Sequence, residues 1–168
     1  LLCRLWWRGR KEAGYAVAPW QRFGCYAEAK SRPLIWLHAV SLGEMRAAEP
    51  LLRQLQTTYP DYRLLLSCMT ATGREVALQR FAGQAAVRVV WLPYDYPFAV
   101  KRFLDTFQPA IGLIMETEIW PNLMQACSAR RLPVLLVNAQ LAGLNLSPAL
   151  VPTQVTESRT VISPVKAV

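Results

Sequence analysis

Five short, continuously apolar runs constrain this chain more than any other feature: Leu34–His38, Arg63–Cys68, Val87–Leu92, Ile111–Met115 and Val134–Val137. Their polarity does not alternate, and a strand that is apolar on both sides must be covered on both sides. Between the runs lie four segments of helical pattern, Met45–Thr58, Thr72–Phe81, Pro97–Phe107 and Pro121–Arg131, each long enough to return the chain across a sheet. Strand and helix in alternation predict an α/β domain, a Rossmann-like parallel sheet with helices on both faces. The 168 residues, 53% hydrophobic and 18% charged, suffice for one well-buried domain.

A parallel sheet sends every strand-to-helix loop to one edge, where open α/β folds bind their ligands. Those loops here are Ser41-Leu42-Gly43-Glu44, Met69-Thr70-Ala71-Thr72-Gly73, Pro93-Tyr94-Asp95-Tyr96-Pro97, the stretch from Glu116 to Asn122, and Asn138-Ala139-Gln140. In the first of them Gly43 is expected at the bend, and Glu44 at the start of the following helix. There the helix dipole and free N–H groups favour an anionic carboxylate. A glutamate held in that state and open to solvent has the properties of a general base; the same residue in the same place is also an ordinary helix cap.

The other polar positions carry two readings each. Thr70, Thr72 and Gly73 are able to hold a phosphate through hydroxyl and backbone N–H groups, while Thr72 is equally suited to cap the helix. Glu116 and Glu118, two apart in extended backbone, share a face, where they orient a substrate, perturb each other's ionisation or pair with a neighbouring cation. His38, the sole imidazole, sits just inside a strand end and reads as a satisfied core residue bracing the Ser41–Glu44 loop. No G-x-G-x-x-G, Walker lysine motif or G-x-S-x-G elbow is present. The scattered Cys3, Cys25, Cys68 and Cys127 form no C-x-x-C pair and, with one histidine, no metal site; they are expected to be reduced and buried.

The net charge of +8 is unevenly spread. Residues 1–32 hold seven basic side chains, Arg4, Arg8, Arg10, Lys11, Arg22, Lys30 and Arg32, against Glu12 and Glu28. Leu1, Leu2, Leu5, Trp6, Trp7, Trp20, Phe23 and Tyr26 accompany them, the composition of a membrane-interface anchor or of a basic segment lying on the domain. No recognised nucleic-acid motif goes with the charge, so a nucleic-acid partner is not expected. The first residue is Leu1, which suggests that further sequence precedes it.

Taken in order, His38-Ala39-Val40-Ser41-Leu42-Gly43-Glu44, Met69-Thr70-Ala71-Thr72-Gly73, Leu92-Pro93-Tyr94-Asp95, the run Ile114-Met115-Glu116-Thr117-Glu118-Ile119-Trp120-Pro121-Asn122 and Val137-Asn138-Ala139 resemble the N-terminal domain of the 3-deoxy-D-manno-octulosonic acid (Kdo) transferases. The resemblance runs from about Arg4 to Leu141. It implies the acceptor half of a two-domain GT-B glycosyltransferase at the cytoplasmic face of the bacterial inner membrane, transferring Kdo from CMP-Kdo to a lipid A precursor (lipid IVA). It carries the general-base role onto Glu44, with Ser41, Gly43, Thr70, Thr72, Gly73, Glu116, Glu118 and Asn138 around the same cleft, and it calls for no metal or other cofactor. CMP-Kdo would be held largely by a C-terminal domain that the sequence does not contain. From Ala142 the family pattern stops, and the proline-bearing stretch 142–168 reads as irregular. A truncated or frame-shifted product, inactive by itself, is the expectation. A non-catalytic module binding an anionic lipid or sugar phosphate would share the fold and the charge.

Overall fold

In this computed structural model the described residues are 13–27, 33–115 and 120–137. The five apolar runs form five strands: β1 Leu34–His38, β2 Arg63–Cys68, β3 Val87–Trp91, β4 Ile111–Met115 and β5 Val134–Val137. All neighbours pair in parallel, in the order β3-β2-β1-β4-β5, so the two halves of the sheet diverge from β1. The four helices are α1 Leu42–Thr58, α2 Ala71–Arg80, α3 Pro97–Phe107 and α4 Pro121–Ala129.

Period-2 alternation divides the strand side chains between two cores. Ile35, Leu37, Leu64, Leu66, Leu113 and Met115 meet Met45, Ala48, Leu52 and Leu55 of α1 and Ala77 of α2. On the opposite face Trp36, Leu65, Val90 and Ile114 meet Val100, Phe103, Leu104 and Phe107 of α3 and Leu123 and Cys127 of α4. Both faces of the sheet are therefore covered, as continuous apolar strands require.

Trp36 is fully buried at the middle of β1, opposite Gly112 of β4. A Cβ at Gly112 would lie 2.8 Å from the indole Cε3, so the glycine makes room for the ring. The indole packs edge-on against Phe103 at a centroid distance of 5.2 Å.

Part of the basic leading segment lies on the domain. Residues 13–27 form two short 3-10 turns, Ala13–Ala16 and Pro19–Phe23, beside the end of β3. Gln21 Oε1 accepts from the Trp91 backbone N–H at 2.9 Å, and the Trp91 indole N–H donates to the Val17 carbonyl at 2.7 Å. Gly24 closes the second turn at φ +79, where a Cβ would come within 2.5 Å of the Ala99 carbonyl. Tyr26, counted above with the anchoring aromatics, packs on Phe103 and Phe107 and donates its hydroxyl to the Trp91 carbonyl. Arg22 is likewise no surface charge, being 1% exposed, whereas Trp20 is 68% exposed. Residues 1–12, 28–32, 116–119 and 138–168 fall outside the described residues, and with them the readings made for Glu116, Glu118, Asn138, Cys3 and the stretch 142–168. Of the remaining cysteines, Cys68 and Cys127 are buried as expected, but Cys25 is exposed.

Candidate active site

The chain leaves β1 at His38 and enters α1 at Leu42, with Ser41 as the N-cap in extended backbone. The Ser41 side chain accepts from the Glu44 N–H at 3.4 Å, and the Ser41 hydroxyl donates to Glu44 Oε1 at 2.8 Å. Glu44 Oε2 accepts from the Val40 N–H at 2.8 Å. This is the reciprocal bonding of a capping box, with the carboxylate reaching the amide just before the cap. Glu44 is 9% exposed, which corrects the expectation of a carboxylate open to solvent. Each carboxylate oxygen has one donor fixing it and lone-pair capacity left over, so the group is oriented but not saturated.

Gly43 also differs from its expectation. It lies within the first turn of α1, outside the left-handed region, and a Cβ there would meet only Ser41 Oγ at 3.9 Å. The turn is made by residues 39–41, and Gly43 leaves an exposed, side-chain-free surface next to Glu44.

The second loop abuts the first. Met69 and Thr70 donate their backbone N–H groups to the Val40 carbonyl at 3.3 and 3.1 Å, and the Thr70 hydroxyl donates to the same oxygen at 3.1 Å. Thr70, not Thr72, is the N-cap of α2: its Oγ1 accepts from the Gly73 N–H at 3.2 Å. That bond occupies the Gly73 N–H, which corrects its reading as a phosphate donor. Gly73 is needed for a different reason, since a Cβ there would sit 3.1 Å from the Ser41 carbonyl carbon. The start of α2 thus packs directly on the cap of α1, while Thr72 is exposed at its outer side.

His38 stays out of this edge. It is fully buried, and its Nδ1 lies 3.0 Å from the Ser67 carbonyl and 2.9 Å from Ser67 Oγ, which also accepts from the Trp36 indole N–H at 2.8 Å. Burial pulls its pKa down to about 4, with the Ser67 backbone contact opposing the shift. The unfolded chain, with an ordinary histidine near 6.5, therefore binds more protons than the folded one between pH 6.5 and 4. Stability is intact above that window and falls through it by about 3 kcal/mol in total. Urea unfolding midpoints measured from pH 7.5 down to 5 should show the fall, and His38→Gln should flatten it.

Two features of the sheet edge escaped sequence reasoning. Asp95, in the loop after β3, accepts from the Asn122 and Leu123 backbone N–H groups at 3.0 and 2.9 Å and so caps α4, whose own N-cap position, Trp120, offers no side-chain acceptor. A helix beginning Trp-Pro-Asn without a capping residue was the signal for an acceptor supplied from elsewhere. The other is an aromatic and guanidinium cluster beyond β2 and β3. The Arg22 guanidinium lies 4.0 Å from the Trp91 ring centroid and donates to the Met69 carbonyl at 3.2 Å. Tyr15 stacks on Trp91 with centroids 5.9 Å apart. Arg74 of α2 approaches the same indole at 5.3 Å.

A doubly covered parallel sheet with a capped carboxylate at the end of its first strand is consistent with the N-terminal domain of a GT-B glycosyltransferase. The sequence profile described as 3-Deoxy-D-manno-octulosonic-acid transferase (kdotransferase) matches residues 18–147, past the Leu141 limit expected from the motifs. The chain is 40% identical over 152 residues to the 3-deoxy-D-manno-octulosonic acid transferase of Bordetella pertussis, an alignment covering 86% of this chain and 35% of that protein. It is 37% identical over 145 residues to the Haemophilus influenzae enzyme of the same name, covering 85% and 34%. The Rickettsia felis enzyme is 34% identical over 112 residues, covering 67% and 24%. The chain belongs to the 3-deoxy-D-manno-octulosonic acid (Kdo) transferase family, and it spans about a third of the length of the first two of these relatives.

Proposed function

We propose that this chain is the acceptor half of an inverting Kdo transferase, with Glu44 as general base. The observation that supports the reading best is the carboxylate of Glu44, fixed by Ser41 and Val40 at the ligand-binding edge of the sheet. An acceptor hydroxyl placed against its remaining lone pairs would pass its proton to Glu44 as the oxygen attacks the anomeric carbon of Kdo. The bond from that carbon to the phosphate oxygen breaks, and CMP leaves with the electron pair. Inversion follows from the single displacement.

The donor is CMP-Kdo and the acceptor a lipid A precursor such as lipid IVA, as the family implies. CMP-Kdo would be bound chiefly by a second domain, so the chain alone is inactive. Ser41 orients the base, and the bare surface at Gly43 admits the acceptor close to it. Thr72 stands exposed on the neighbouring helix start. Among the described residues no helix is long and apolar enough to cross a membrane. Exposed Trp20 and Val17, on the segment that carries the basic excess, support a peripheral seat on the cytoplasmic face of the inner membrane.

The test is Kdo transfer from CMP-Kdo to lipid IVA by the chain alone and by the chain mixed with the separately produced second half of a relative. Product only in the mixture supports the reading. Product from the chain alone, or from neither preparation although the second half binds CMP-Kdo, contradicts it.

A further inference from the structure

The cluster around Trp91 contains a cation that the proposed proton transfer does not use. Arg74 lies in the first turns of α2, four residues after the Thr70 cap. Helical side chains lean toward the N-terminus, so Arg74 leans toward the end of α2 that begins with the amides of Ala71 and Thr72, the Gly73 amide being held by Thr70 Oγ1. Its guanidinium packs on Trp91 at 5.3 Å, and its Nε is buried without a hydrogen-bond partner. Among the described residues its guanidinium makes no hydrogen bond and no ion pair. Arg22, by contrast, is committed to the Met69 carbonyl and to the Trp91 ring. A half-buried arginine with an idle fork, held against an indole, is arranged to receive an oxyanion two N–H groups at a time.

Glu44 and Arg74 lie in the first turns of α1 and α2, the two helices that follow the adjacent strands β1 and β2. The Gly73 backbone between them packs on Ser41.

We propose that Arg74 binds a phosphomonoester of the acceptor, holding it at the start of α2 while Glu44 faces the reacting hydroxyl. The proposal rests on the acceptor reading above and adds to it the chemical group that the second helix start recognises. A planar guanidinium and helix-end amides suit a tetrahedral dianion, which accepts from both at once. Such a group is carried by a lipid headgroup or by a free phosphate.

The 168-residue chain would be titrated with inorganic phosphate at constant ionic strength, following the backbone amides of Ala71 to Arg74 by NMR. Saturable shifts are expected. Arg74→Gln should weaken them about tenfold or more, Arg74→Lys less, and the exposed Arg53→Gln should not change them. Amides of β4 report that each variant is folded. Shifts that do not saturate, or that survive unchanged in folded Arg74→Gln, would mean an adventitious ion only and overturn the proposal. A second arm uses phosphatidylcholine vesicles with and without phosphatidic acid. Binding that requires phosphatidic acid and Arg74 assigns the site to a lipid-borne phosphate, and saturation by inorganic phosphate without it assigns a free one. Neither arm needs turnover. Failure here with Kdo transfer intact removes the phosphate site and leaves the Glu44 reading standing, and the reverse outcome does the opposite.

Discussion

Replacing Glu44 by Gln in the two-half enzyme is expected to lower Kdo transfer by about 10²–10⁴-fold, the contribution of a positioned general base. The substitution isolates the chemistry because a glutamine is also accepted at this position of a capping box. Its amide oxygen can take the Val40 N–H that Glu44 Oε2 now accepts. Ser41 Oγ, which donates to Oε1, can turn and accept from the new amide group instead. The fold should be retained while the proposed proton acceptor is lost. Glu44→Ala would be a poorer experiment, since it leaves the Val40 amide without its partner at the point where α1 begins and confuses stability with catalysis. Initial rates with CMP-Kdo and lipid IVA check the prediction.

The largest effect on stability is expected from Trp36→Ala. The ring is fully buried, fills the space opposite Gly112, touches Phe103 and donates to Ser67 Oγ. Truncating a buried tryptophan costs about 3–5 kcal/mol through lost burial and the cavity left behind. Neighbours from β1, β4 and α3 cannot close such a hole without moving the sheet against the helix. Against a total stability of about 5–15 kcal/mol, a change of that size takes a large share, and chemical denaturation of the two chains side by side measures it. The same geometry explains why a glycine occupies a position inside β4, where it otherwise weakens the pairing.

The sheet was legible in the sequence because burial on both faces leaves the strands mostly apolar, with His38 and Ser67 the polar residues buried among them. Leu34–His38 and Ile111–Met115 begin and end where their apolar runs do. Helix starts were less legible. The first was expected at Met45 and begins at Leu42, because Ser41 and Glu44 form one reciprocal cap and the residues between them are already helical. The second was expected at Thr72 and begins at Ala71, because either of two threonines had the chemistry of a cap and only packing against Val40 selects Thr70.

At the candidate site, Glu44, Ser41, Gly43, Thr70 and Gly73 do meet at one edge, yet two of the glycines serve in ways that local sequence cannot display. Gly73 lets one helix start approach another, a contact between separate loops, and Gly43 meets no crowding at all. Arg22 was counted with a basic surface because charge is visible in a sequence and a long-range stack on Trp91 is not. The Asp95 bonds to the start of α4 are hidden for the same reason: their partners lie far along the chain.

The most direct test of the general-base assignment is to measure, on one preparation of the Glu44→Gln enzyme, the acceptor dissociation constant and the transfer rate together. An unchanged dissociation constant with transfer reduced by about 10² or more is the predicted result. Transfer at the unaltered rate would contradict the account, as would a loss of transfer explained entirely by weaker acceptor binding.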